Sequence, residues 1–156
     1  MVDGQRGKSL NYLSIIYPEL GLKPGDYTHQ LVDYLINNWI GGAPKDSNGN
    51  PSLSLLDVGA GTGAQAAVFS RHFNVTALDR HPRAQETFDS LGIEGDVVVT
   101  EIGNEPFPLA DNFFDVVFSK SVIEHVENWN NLLTEIRRVL KPEGVAIIMT
   151  PNWSTQ

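Results

Sequence analysis

Cysteine is absent from the 156 residues, which excludes a disulfide framework, thiolate zinc sites and a cysteine nucleophile, and fits a reducing compartment. Basic residues are scarce: 11 Lys and Arg stand against 19 Asp and Glu, a net charge of −8. Such a field disfavours DNA, RNA and anionic membrane surfaces as partners and favours neutral or cationic small molecules. No apolar run approaches the ~18 residues of a membrane span and no charged-then-apolar leader opens the chain, so a cytoplasmic location is expected. The histidines His29, His72 and His81 show no ligand spacing with carboxylates, so no metal site is expected.

The length suits one domain, and 41% hydrophobic residues suffice for a core. The chain is organised around Leu53-Ser-Leu-Leu-Asp57-Val-Gly59-Ala60-Gly61-Thr-Gly63-Ala64. An apolar run ends in an acid, glycines then alternate with small residues, and a helical pattern follows over 63–72. This is a strand, a tight turn and a helix start, where unpaired N–H groups and missing Cβ atoms admit a ligand. The glycines fit the loose dinucleotide fingerprint, with Ala64 last, and also the Gly-x-Gly-x-Gly spacing of S-adenosylmethionine binders. Asp57 favours an ammonium-bearing ligand over a pyrophosphate, which it would repel.

Residues 1–52 read as an N-terminal helical segment packing on the same domain. Leu10–Tyr17 has helical spacing, and its Tyr12 and Tyr17 either pack against the domain or cover a bound ligand on the substrate side. A second helix is predicted over Tyr27–Ile40, with Leu31, Val32, Leu35, Ile36, Trp39 and Ile40 on one face, ended by Gly41-Gly42. From residue 53 strands alternate with helices: strands at 53–58, 75–79, within 96–102, at 114–119 and 145–149, and helices at 63–72, 83–91 and 130–140. Near-continuous apolar strands separated by helices predict a doubly wound α/β architecture, with a mostly parallel sheet and the ligand at the carboxyl ends of its strands. Asp79 ends the second strand, twenty residues after Gly59, where a carboxylate can accept both hydroxyls of a ribose.

Taken in order, Asp57-Val-Gly-Ala-Gly-Thr-Gly63, Ala-Leu-Asp79, Glu105-Pro-Phe-Pro108, Asp111-Asn-Phe-Phe-Asp115, Ser119-Lys-Ser-Val-Ile-Glu-His125-Val126 and Glu135-Ile-Arg-Arg-Val-Leu-Lys-Pro-Glu-Gly144 resemble the class I S-adenosylmethionine-dependent methyltransferases, in their small-molecule branch. The resemblance runs over about residues 53–151. It implies S-adenosylmethionine as cofactor, a small-molecule methyl acceptor and in-line displacement at the sulfonium. It further implies cofactor contacts at Asp57, Gly59, Ala60, Gly61 and Gly63 for the methionyl end and at Asp79, with Arg80 beside it, for the ribose. Glu101, standing where the family usually has an aspartate, and Ile102 would meet the adenine, and Ser119 the sulfonium. Displacement at a sulfonium needs no catalytic residue when the acceptor is already a good nucleophile. For a hydroxyl acceptor a base is useful, and His125, following the fourth strand, is the candidate.

No Pro-Pro-aromatic motif follows the fourth strand, which argues against an amino-methylating DNA enzyme. The family sheet continues past the fifth strand into two further strands, and this sequence stops before them. A truncated chain, or an edge covered by another chain such as a second copy, is the expectation. Two alternatives stand beside the methyltransferase: a module that binds the cofactor without turnover, and a nicotinamide-dependent oxidoreductase, against which Asp57 counts.

Overall fold

The computed structural model describes residues 27–151, in two compact units divided between Gly42 and Ala43. The helix expected over Leu10–Tyr17, with Tyr12 and Tyr17, lies outside the described residues. In the first unit helix α1 covers Tyr27–Leu35 and a π-helical turn covers Ile36–Ile40, where the sequence predicts one continuous helix. Leu31, Val32, Leu35 and Ile36 are buried as the helical face requires, but Trp39 is 64% exposed. The wider turn, closed by Gly41 N–H donating to the Ile36 carbonyl at 3.1 Å, carries Trp39 off the apolar stripe.

The second unit is built on five strands: β1 (Ser54–Val58), β2 (Asn74–Asp79), β3 (Asp96–Val99), β4 (Phe114–Lys120) and β5 (Leu140–Met149). All pair in parallel, in the order β3-β2-β1-β4-β5. The chain winds outward from β1 through β2 to β3, then returns to the other side of β1 with β4. The order therefore reverses between β1 and β4, the position at which doubly wound sheets open a crevice at their carboxyl ends. Sixty-one residues separate Ser54 from Asp115, yet the Ser54 N–H donates to Asp115 Oδ2 at 2.9 Å, and Lys141 Nζ reaches Asp115 Oδ1 at 2.7 Å. These bonds fasten the amino ends of the central strands.

Helices α2 (Ala64–Phe69) and α3 (Arg83–Leu91) follow β1 and β2, and α4 (Trp129–Val139) follows β4. Phe69 of α2 packs on Phe118 of β4 with ring centroids 5.1 Å apart. The other face of the sheet, carrying Leu56, Val58, Leu78 and Val117, shares a core with Leu132, Ile136 and Val139 of α4 and with Phe107.

Two boundaries in this unit differ from the sequence reading by more than one residue. Helix α2 stops at Phe69 because tighter turns follow, with His72 N–H donating to the Phe69 carbonyl at 2.8 Å. Strand β3, Asp96–Val99, falls within the predicted 96–102; Thr100 still pairs with the Asp79 carbonyl at 3.1 Å, and then the Glu101 carbonyl accepts from Asn104 and Glu105 in a turn. Strand β5 begins at Leu140, but its pairing jumps from Phe114–Leu140 to Val116–Val145, so Lys141–Gly144 bulge out of the ladder.

Candidate functional site

The turn after β1 is held by β2. Gly59 and Ala60 N–H groups both donate to the Leu78 carbonyl, at 2.7 and 3.1 Å. Gly59 has φ 77°, and a Cβ placed there would lie 2.1 Å from Val122 Cγ2. Only glycine lets the segment after β4 close this tightly on the end of β1. Gly61 N–H donates to Asp79 Oδ2 at 2.9 Å and His81 N–H to Asp79 Oδ1 at 3.0 Å. Asp79 is thus fixed at the rim by two backbone amides, and its carboxylate retains lone pairs for a ligand. Gly63 has φ 79° and precedes the first residue of α2.

Above the carboxyl ends of the strands lies a cavity of about 710 Å³, within the ~300–1,000 Å³ usual for small-molecule sites. One wall comes from Gly59, Asp79 and Arg80, a second from Glu101, Ile102 and Asn104, and a third from Ser121, Val122, His125, Val126 and Glu127. The structure thereby brings Gly59, Asp79, Arg80, Glu101, Ile102 and His125 to one space. His125 sits on the 3-10 turn Ile123–His125, which Glu124 ties to the end of β5 by accepting from Thr150 Oγ1 at 3.1 Å.

Asp57 and Ser119 lie below this space, inside the sheet. Asp57 is 3% exposed and Ser119 1%, and among the described residues Asp57 Oδ2 and Ser119 Oγ have no hydrogen-bond partner. The strand register sets them on opposite faces, Asp57 with Ala77 and Phe118 and Ser119 with Val58. Burial, reinforced by the charge of Asp79, pushes the Asp57 carboxyl up to about 7 against the smaller opposing pull of the Ala66 amide and Lys120. Burial likewise holds the Lys120 ammonium below its ordinary range, partly offset by Asp57 and Glu124. A buried carboxylate with an unused oxygen is an expensive group to keep, and a cation brought beside it repays the desolvation.

Asn104 and Glu127 carry no signal in the sequence, and Ser121, Val122 and Val126 stand there only as part of the motif from Ser119 to Val126, with no site role. Ser121 is a non-glycine residue at φ 56°, at the sharp exit from β4 where its N–H donates to the Met149 carbonyl at 2.8 Å. Such backbone strain collects at ligand-facing turns.

A family model described as a methyltransferase domain matches residues 56–148. The chain belongs to this family. Together with the parallel sheet and the glycine turn at its switch point, the match makes it a class I S-adenosylmethionine-dependent methyltransferase domain, a family whose cofactor is S-adenosylmethionine. Among relatives, a ubiquinone biosynthesis O-methyltransferase of Rickettsia conorii is 37% identical over 110 residues, covering 69% of this chain and 38% of that protein. A glycine/sarcosine/dimethylglycine N-methyltransferase of Actinopolyspora halophila is 33% identical over 108 residues, 65% of this chain and 19% of its own length. The chain thus spans well under half of these relatives. The crystal structure of a SAM-dependent methyltransferase from Aquifex aeolicus superposes with a TM-score of 0.62 at 21% identity, covering 93% of this chain and 72% of that one.

The methyltransferase cofactor carries an ammonium, a carboxylate, a sulfonium, a ribose diol and an adenine, and the donors and acceptors present fit such a group. Asp57 offers an unsatisfied buried carboxylate oxygen, Gly61 has open space where a Cβ would stand, and Asp79 is held at the rim of a cavity of suitable size.

Proposed function

We propose that this domain transfers a methyl group from S-adenosylmethionine to a small, uncharged or cationic acceptor by in-line displacement. The observation that supports this most is the buried Asp57, whose unpartnered Oδ2 lies at the end of the strand that leads into the glycine turn. The chemistry supplied when the cofactor is bound is an electrophilic methyl on a sulfonium. In this reading Asp57 and the backbone of Gly59, Ala60, Gly61 and Gly63 hold the methionyl amine and carboxylate. Asp79, flanked by Arg80, takes the ribose hydroxyls. Glu101 accepts from the adenine amino group, Ile102 offers its amide to the ring, and Ser119 borders the methionine.

Methyl transfer consumes the positive charge of the sulfonium, so a dry, aligned cleft provides most of the acceleration, with proximity alone contributing up to ~7–11 kcal/mol. Asp79, Glu101 and Glu127 around the cavity outnumber Arg80 as charged lining groups, which favours neutral or cationic acceptors. For a hydroxyl acceptor, His125 on the cavity wall takes the proton. Isothermal titration with S-adenosylmethionine and with its demethylated product tests the reading. Saturable binding of both at one site is expected, and binding of neither would overturn it.

A further inference from the structure

Helix α4 presents Asn131, Glu135 and Arg138 at i, i+4 and i+7, a single stripe of its surface. Polar residues so spaced ordinarily face water, yet Glu135 is 7% exposed and all three bond to the backbone of the segment between β3 and β4. Asn131 Nδ2 donates to the Gly103 carbonyl at 3.0 Å. Glu135 Oε2 accepts from Phe107 N–H at 2.7 Å, and Arg138 donates to the carbonyls of Phe107 and Leu109 at 2.9 and 2.8 Å. The segment is therefore fastened to α4 at both ends, and Glu101, Ile102 and Asn104 sit at the Asn131 end.

Gly103 is the joint. It has φ 90°, and a Cβ placed there would lie 2.2 Å from Val126 Cγ1 and 3.5 Å from the Asn128 carbonyl. On one side it abuts the wall carrying Val126, and on the other its carbonyl is drawn to Asn131. The side chain of Asn128 fixes the start of α4 in turn, accepting from Asn131 N–H at 3.2 Å. Two cavity walls, one bearing Glu101 and Ile102 and the other Val122, His125 and Val126, thus meet at Gly103, whose packing on Val126 is backed by one side-chain amide on its carbonyl.

We infer that Asn131 is a positioning residue for nucleobase recognition: by holding the Gly103 carbonyl against α4 it aims Glu101 and the Ile102 amide at the base. The inference rests on the adenine role given to those two residues above. Without the Asn131 donor the turn is released from α4 and the base loses its aimed partners, while the glycine turn, Asp57 and Asp79 keep theirs. Discrimination between bases falls, and the contribution of the methionyl and ribose ends is retained.

The test is calorimetric titration of the wild type, N131A and N131D with S-adenosylhomocysteine and with S-inosylhomocysteine. The second ligand differs at the base alone, presenting an oxo group for the amino group and a ring N–H for a ring acceptor. The wild type should prefer the adenine form by at least about tenfold, the scale of one charged hydrogen bond. Both variants should bring that ratio towards unity while still binding both ligands. N131D keeps the size of the residue and carries the test if the alanine variant does not fold. A helix residue that serves stability alone would lower both affinities together and leave the ratio unchanged, which would overturn the inference. A wild type that binds both ligands without preference would overturn the role of Glu101 and Ile102, and the inference with it.

Discussion

At the scale of single residues, Asp57 has the most chemistry in the least space. Its carboxyl, pushed from 3.8 up to about 7 by burial and by Asp79, binds a proton more tightly in the folded protein than in the unfolded chain. The stability this gives is fully present below the unfolded value, declines between about pH 4 and 7, and is gone above the folded value, a change on the order of 4 kcal/mol. Denaturant unfolding of the ligand-free protein should therefore show stability falling from pH 4 to 7.5. D57N should flatten that slope and weaken cofactor binding at least tenfold; equal slopes in the two proteins would refute the assignment. His125 supplies a second prediction. With a hydroxyl acceptor, H125A should lower kcat by about 100-fold or more while the affinity for S-adenosylhomocysteine stays within twofold, since no cofactor contact is assigned to this side chain. Steady-state kinetics paired with titration separates the two quantities.

At the scale of elements, the ion pairs on α4 carry a load that the sequence hides. Arg138 bonds Glu135 through two nitrogens, at 3.0 and 2.7 Å, and also pairs with Asp111. The Glu135 carboxyl is held below its usual range, chiefly by Arg138 and further by the Phe107 amide, against the opposing effect of burial. A lowered carboxyl stabilises the fold above its unfolded value and ceases to do so as pH falls through the folded one. R138A takes the cation from that buried carboxylate, which keeps only the Phe107 amide, and a donor from each of two carbonyls, and should lower stability by roughly 1.5–3 kcal/mol at pH 7. The deficit should narrow below pH 4, which thermal melts across the acid range will show. The strands and helices themselves were legible because apolar residues cluster in β1, β2 and β4 and recur with helical spacing in α4. What escaped was decided between elements. Trp39 reads as part of an apolar stripe until a π turn rotates it out. Asn131, Glu135 and Arg138 look like a solvated face until a distant segment docks on them. The residues of the glycine turn were visible because an acid and spaced glycines have few other reasons to follow a strand. Ser121, Val122 and Val126, small or apolar residues after a strand, are brought to the cavity by backbone course alone, and no periodicity records that.

At the scale of the whole molecule, the sheet order gathers residues from far apart in the sequence, and this bears on how a ligand is felt. Gly59, Asp79, Glu101 and His125 face one cavity only when β1 lies between β2 and β4. A ligand that needs all of them binds the native sheet and not the unfolded chain. Cofactor at 100 times its dissociation constant should then add about 2.7 kcal/mol to stability, read as a rise in the melting temperature that grows with the logarithm of concentration. A melting temperature indifferent to cofactor would contradict the site.

The pairing of β1 with β4 has a further, temporal consequence. Strand β2 reaches β1 across a short local connection, whereas β4 must return after the whole β2–β3 excursion, so the β1–β4 contact closes the longest loop among neighbouring strands, carries the largest closure entropy and is expected to form late. During synthesis or refolding, β1 waits with one ladder edge open. The His125 wall of the cavity is then expected to arrive with β4, and recovery of cofactor binding should serve as a clock for completion of the sheet.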